Sequence, residues 1–402
     1  MMRIINANGK AEFEIIKQLQ ERGSEPDKKV VEIVTAIMES VAAEGDAAVV
    51  RYTKQFDCPE PEFYEVPREV IEGAIDECAP ELIESMRRAA ANITEFHQKQ
   101  LQRSWLDTRA DGVIMGQRVR GLTRVGVYVP CGTAPLFSSV LMNVIPARIA
   151  GVKEIIMLTP PGKDGKANRC ILAAAAIAGA DRVFLAGGAQ AVAAMCYGTE
   201  SIPKMDKIVG PGNIFVATAK RLAYGTVDID MIAGPSEILV VADETARPDY
   251  LAADLMSQAE HDRIASAVLL TTSRELAEQT EAELIRQSAS LSRREIIEES
   301  MEKYGAAIVC RSLDEAIDLA NMVAPEHLEL CIENPLEYIG RVDNAGSVFL
   351  GNYSPEPLGD YFAGPNHTLP TSGTARFFSP LSVDSFLKKS SFIYYTRDAL
   401  DE

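Results

Sequence analysis

Apolar residues recur at helical spacing over residues 27–56 and again over 80–102, with Val30, Val31, Ile33, Val34, Ile37 and Met38 showing the pattern in the first stretch. A period of three to four residues marks amphipathic helices, so both stretches are expected to be long and helical. His97 lies on the second and reads as a packing or surface residue. From Val125 the texture changes to short apolar runs alternating with helical ones. Strands are expected at 125–129, 154–158, 182–185 and 207–209, and helices at 136–150, 167–178 and 189–197. A second series follows, with strands at 237–241, 267–271 and 306–309 and helices at 250–260, 275–287 and 313–322. This alternation predicts an α/β protein with two doubly wound, Rossmann-like units, parallel sheets flanked by helices. The expected division is 1–124 as N-terminal helices contributing to the second α/β domain, 125–234 as the first domain, 235–385 as the second, and 386–402 as the start of a C-terminal segment.

Length and composition fit this picture. The chain has 402 residues, 47% hydrophobic and 24% charged, enough for two substantial cores. A formal charge of −18 argues against general nucleic-acid binding, which needs a basic footprint. A bound anionic cofactor would therefore depend on local backbone N–H groups. The N-terminus has no signal-peptide core, and the most apolar run, 170–180, is too short to cross a bilayer. Seven dispersed cysteines without a CxxC pair fit reduced thiols in a cytoplasmic protein.

Three of the four histidines occupy short polar motifs between 261 and 367. In Ser257-Gln258-Ala259-Glu260-His261, Gln258 and His261 are spaced i, i+3, so on a helix they share a face and offer one oxygen and one nitrogen to a divalent metal. Glu326-His327 places an acid and a base side by side after Pro325, each able to serve a separate proton transfer. The segment 351–380, rich in Gly, Pro, Asn, Ser and Thr, carries Asp360 and His367. A long loop of this kind is usually functional. Asp360 could complete a metal shell or cap a turn, and on residue type alone His367 is the natural fourth ligand. The turns Ala186-Gly187-Gly188-Ala189-Gln190 and Gly210-Pro211-Gly212-Asn213 each follow an expected strand and open a helix, as does Pro130-Cys131-Gly132-Thr133-Ala134-Pro135. Three such turns at successive strand ends fit a nucleotide-binding crevice.

Taken together these segments resemble the histidinol dehydrogenase family over nearly the whole chain. The matching runs include Val125–Pro130, Ala186–Ala191, Tyr197–Ser201, Val209–Asn213, Ala233–Glu237, Ser257–His261, Pro325–Glu329, Asn344–Phe349 and Gly364–Arg376. The resemblance implies an aldehyde-dehydrogenase-like architecture and oxidation of L-histidinol to L-histidine through the aldehyde. That reaction is the last step of histidine biosynthesis and uses two NAD+ and one Zn2+ per site. It implies Gln258, His261 and Asp360 as zinc ligands and Glu326 and His327 as the acid/base residues. Ser236, Gln258, His261, His327 and Asp360 would contact substrate, and Tyr128, Gln190 and Asn213 would contact NAD. His367 falls on a family position that is not a ligand, so the resemblance removes it from the set. Cys131 stands where the family usually has glycine.

The family is an intertwined homodimer. Beyond the region matching Ser390–Tyr395 its members continue into a small helical segment bearing a substrate-contacting glutamate and a last zinc ligand, a histidine, that reach the neighbouring subunit. The chain ends at Glu402, and the expectation is that this segment is truncated. Two alternatives accompany the leading reading: a relative that oxidises another small polar alcohol, and a chain that folds and dimerises with little activity.

Overall fold

The computed structural model describes residues 1–22, 28–131, 136–232 and 234–401, and divides the chain into two compact units. One comprises Met1–Pro26 and Ala233–Pro380; the other comprises Asp27–Ile232 and Leu381–Glu402.

The first unit is built on a six-stranded, all-parallel sheet. Its order is Arg3–Asn6, Gly305–Val309, Ser266–Thr271, Glu237–Ala242, His327–Cys331 and Ser347–Leu350. Both faces are apolar. Val240, Ala242, Leu269 and Ala307 pack with Leu251, Leu255 and Leu284 on one side, and Leu239, Val241, Leu328 and Leu330 pack with Ile317 and Leu319 on the other. Helices thus cover both faces, as parallel sheets require.

The second unit holds a five-stranded parallel sheet ordered Arg182–Leu185, Glu154–Thr159, Arg124–Tyr128, Lys207–Val209 and Asp228–Ile229. A separate three-stranded antiparallel sheet pairs Leu387–Tyr394 with Ile114–Gly121 and the latter with Trp105–Thr108.

The parallel α/β architecture is as the alternating pattern predicts. The division of the chain differs in one respect: of residues 1–124, only the N-terminal 26 join the unit carrying the histidine motifs. Helix Lys28–Glu44 packs on Gly188–Tyr197 and Ile214–Ala223, and helix Pro80–Gln98 on Phe137–Ile149 and Arg169–Ala178. An amphipathic face announces that it will be buried but not against which sheet, and here the partner is the nearer one in sequence. The expected single helix over 27–56 is broken at Gly45, whose φ of +58° leaves the helical region. His97 is fully buried, its Nδ1 2.8 Å from the Ile93 carbonyl, a packing residue as expected. No helix among the described residues is long and apolar enough to cross a membrane.

Candidate functional site

Glu326 and His327, the expected acid/base residues, sit at the start of a central strand. His327 opens the strand His327–Cys331, which lies beside Glu237–Ala242 with His327 in register with Ile238. Glu326 precedes the strand, so it escapes the alternation that would turn neighbouring side chains to opposite faces. The backbone of Glu237 then serves both residues. Its N–H donates to Glu326 Oε2 at 3.0 Å, and its carbonyl lies 2.9 Å from His327 Nδ1. A carbonyl only accepts, so Nδ1 carries the proton and Nε2 is the nitrogen left for chemistry. Glu237 is itself anchored: its Oε1 takes a 2.6 Å hydrogen bond from Arg22, and both side chains are buried.

His327 Nε2 faces Asp360 Oδ1 at 3.2 Å and Glu356 Oε1 at 4.0 Å, while Nδ1 is 3.6 Å from Glu326 Oε2. Burial alone would lower the imidazole's pKa, but Glu326, the hydrogen bond to Asp360 and the charges of Asp360 and Glu356 override it and hold it up at about 10. Burial pushes the Glu326 carboxyl up to about 8 against the pull of His327. Each therefore shifts the other's charge state, although the Nδ1 proton itself goes to the Glu237 carbonyl.

Donor atoms of His327, Glu356 and Asp360 all lie within 4.8 Å of one another, a grouping able to hold a metal ion. Glu356 Oε1 is buried without a hydrogen-bond partner, an acceptor still to be satisfied. Helix Pro248–Ala259 ends one residue after Gln258, short of the expected helical placement of His261. A tighter turn, His261 N–H to Gln258 O at 3.1 Å, carries the i, i+3 relation past the helix end. Gln258 is buried, and His261 lies on the open side with its Nδ1 3.5 Å from Ser236 Oγ. Asp360 and His327 are near enough for their charges to act on His261 and on His367. The structure thus gathers Ser236, His261, Glu326, His327 and Asp360, and shows Asp360 engaged with His327 and Glu356. A mixed nitrogen and oxygen donor set with an unsatisfied buried carboxylate oxygen suits zinc or a similar divalent ion.

In the second unit, the expected cofactor residues stand at or just beyond the carboxyl ends of three strands of one parallel sheet, where ligands of open α/β sheets bind. Tyr128 ends its strand, and its buried hydroxyl accepts the Gly188 N–H at 3.1 Å. Its carbonyl abuts Gly210, where φ is +112° and a Cβ would come within 2.0 Å of Tyr128 O. One residue therefore touches both glycine turns. Gln190 is buried, and its Nε2 lies 3.3 Å from Asp57 Oδ2. Asn213 caps helix Ile214–Ala223, its Oδ1 accepting from Phe215 N at 3.0 Å and Val216 N at 3.2 Å. Residues 132–135 of the third turn lie outside the described residues. Burial raises the Cys131 thiol, which does not favour a nucleophilic thiolate there.

Sequence reasoning did not single out Glu237, Glu356 or Asp57. Glu356 stands four residues before Asp360 in the same polar loop, a spacing that could have drawn attention to it. Glu237 acts through its backbone and Asp57 from a remote helix end, so neither leaves a local signature.

A family profile described as histidinol dehydrogenase matches residues 20–402. The histidinol dehydrogenase of Clostridium acetobutylicum is 53% identical over 400 residues, covering 100% of this chain and 93% of the relative. That of Listeria innocua is 54% identical over 387 residues, covering 96% and 90%. The crystal structure of histidinol dehydrogenase from Elizabethkingia anophelis superposes with a TM-score of 0.93 at 41% identity, covering 100% of this chain and 92% of that one. An indole-3-acetaldehyde dehydrogenase, at 14% identity and TM-score 0.50, shares the fold alone. A family profile matching residues 20–402, relatives more than 50% identical over nearly the whole chain and a close structural match show that this chain belongs to the histidinol dehydrogenase family.

Proposed function

We propose that the chain catalyses the four-electron oxidation of L-histidinol to L-histidine through the aldehyde, as a zinc- and NAD-dependent enzyme of the cytoplasm and a homodimer. The reading is carried by one observation above the others: a single residue, Glu237, holds an acid and a base side by side through its backbone N–H and carbonyl.

Gln258, His261 and Asp360 are the proposed zinc ligands, and Ser236, with the ligands and His327, faces the substrate. Bound zinc would fix the substrate's imidazole and amino nitrogens without itself changing oxidation state. NAD+, held at Tyr128, Gln190 and Asn213, would accept hydride in each oxidation. The protein's own part is proton management. His327, with Nδ1 committed to the Glu237 carbonyl, would take the alcohol proton through Nε2 once a bound metal draws Asp360 away and the imidazole is no longer held protonated by it. In the second stage Glu326 removes a proton from the water that adds to the aldehyde carbonyl. Its carboxylate is kept in place by the Glu237 N–H, so it needs no rearrangement between stages.

NADH formation from L-histidinol with Zn2+ present, followed to completion, tests the reading. Two NADH and one L-histidine per histidinol are expected. A single NADH with aldehyde as the end product, or turnover only with another alcohol, would overturn it.

A further inference from the structure

We propose that Asp57 is a positioning residue for the cofactor: its carboxylate sets the orientation of the Gln190 amide and fixes the Gly187-Gly188 turn, so that NAD+ meets a preset acceptor. The inference rests on the reading of Gln190 as a cofactor contact and adds to it the group that makes Gln190 competent.

Asp57 is the first residue beyond helix Asp46–Phe56, and 130 residues separate it in sequence from the turn it holds. Its Oδ2 accepts the Gly187 N–H at 3.1 Å and faces Gln190 Nε2 at 3.3 Å. A side-chain amide can present either its oxygen or its nitrogen to a neighbour, and only the surrounding partners decide which. Opposite an ionised carboxylate, which only accepts, the nitrogen must face Asp57. That choice turns Gln190 Oε1 the other way, over Gly188, where an added Cβ would lie 2.8 Å from it. Gly188 has a φ of +58° and Gly187 has room for no Cβ, which would fall 2.7 Å from Asp57 Oδ1. Gln190 is buried, so its amide has little freedom to compensate if Asp57 is lost.

The same geometry says which part of the cofactor belongs here. The Gly187 N–H is taken by Asp57 and the Gly188 N–H by the Tyr128 hydroxyl, so neither is free for a phosphate. A carboxylate at this helix start also repels one. Burial raises the Asp57 carboxyl to about 6, opposed by the hydrogen bonds from Gly187 and Gln190, which leaves it ionised at neutral pH. The ligand group for Gln190 Oε1 is therefore an uncharged hydrogen-bond donor of the dinucleotide, a ribose hydroxyl or the carboxamide NH2.

The test compares the wild type with Asp57→Ala, Asp57→Asn, Gln190→Ala and the Asp57→Ala/Gln190→Ala double variant. Each is assayed for NAD+ and histidinol dependence, and NAD+ affinity is measured by calorimetry. Asp57→Ala is expected to raise the KM and Kd for NAD+ about tenfold, the scale of one hydrogen bond to a charged group. The kcat at saturating NAD+ and the KM for histidinol should stay within about twofold. Asp57→Asn keeps an oxygen acceptor at the same place and should restore most of the affinity. The double variant should be no weaker than Gln190→Ala, because Asp57 acts through that residue. Wild-type NAD+ affinity in Asp57→Ala, or effects of the two single changes that multiply in the double variant, would overturn the proposal. If the wild type binds NAD+ yet leaves histidinol unoxidised, the functional reading fails instead, and calorimetry still decides the role of Asp57.

Discussion

Replacing Lys220 with methionine should destabilise the second unit severely, and the structure says why. Lys220 Nζ is ion-paired with Asp230 Oδ1, both side chains are at most 3% exposed, and Nζ also donates to the Gly210 carbonyl at 2.9 Å. Asp230 Oδ2 accepts the Gly210 N–H at 2.8 Å and Oδ1 the Met231 N–H at 2.6 Å. Methionine fills much of the lysine stem's volume, so the perturbation is mainly electrical. It strands the Asp230 carboxylate in the interior and leaves the Gly210 carbonyl without its donor. Removing one partner of a buried pair costs about 3–5 kcal/mol. At about 2–4 °C per kcal/mol for a unit of this size, the melting temperature should fall by roughly 6–20 °C. The chain's single tryptophan, Trp105, lies in this unit and supplies the fluorescence readout. A Lys220→Met/Asp230→Asn variant, with no charge left behind and an amide oxygen kept as acceptor for the backbone N–H groups, should lose less than Lys220→Met alone. Destabilisation below about 1 kcal/mol in the single variant, or a double variant as poor as the summed singles, would refute the argument that an unpaired charge is the cost.

Gly210→Ala should also destabilise this unit, by roughly 1–3 kcal/mol, because a Cβ would sit 2.0 Å from Tyr128 O at a φ of +112°; an unchanged urea midpoint would contradict it. Asp57 gives a pH signature. Its folded pKa of about 6 lies above the 3.8 of an ordinary aspartate, so its contribution to stability is complete below the lower value and is lost as pH rises through about 6. Unfolding measured by Trp105 fluorescence should show that decline between about pH 4 and 6, with Asp57→Asn flattening it. Asp360→Ala should bind zinc at least about tenfold more weakly, exceeding the lower end of what outer-shell changes do; stoichiometric zinc after dialysis of the variant would remove Asp360 from the ligand set. Glu326→Gln should slow aldehyde oxidation by about 10²–10⁴ while affecting alcohol oxidation far less, and equal loss in both half-reactions would end the proposed division of labour.

The two α/β units were legible because a parallel strand between helices announces itself as a short, wholly apolar run. Glu237–Ala242 and Ser266–Thr271 are buried along their length and stood out accordingly. His327–Cys331 is equally buried yet was not read as a strand, since Pro325-Glu326 resembles a helix start and two of its five residues are ionisable. Its alternation, with Leu328 and Leu330 separated by Glu329, was the usable signal. The antiparallel sheet of 105–121 and 387–394 escaped for a different reason. Leu387–Tyr394 is exposed along most of its length, so no burial pattern marks it. The site followed the same division. Residues acting through side chains in polar motifs were visible, whereas Glu237 and Asp57 depend on which strand lies beside which, and only the folded chain supplies that.

The charge balance around His327 ties the acid/base pair to the metal reading without any appeal to resemblance. Three carboxyl groups, Glu326, Glu356 and Asp360, lie within 4.0 Å of one imidazole, all of them buried or nearly so. Even with His327 protonated, full ionisation would leave two negative charges uncompensated in a low-dielectric pocket, which burial strongly disfavours. Arg22 is not the remedy, because it is committed to Glu237. Protonating the acids would relieve the strain and also silence them as bases: Glu326 is already pushed up to about 8 and Glu356 to about 7. A divalent cation drawing on Asp360 is the alternative, since it offsets the excess charge while leaving carboxylates ionised and an imidazole nitrogen free. A bound metal would thus do more than hold substrate: it would set the protonation state in which Glu326 and His327 could act.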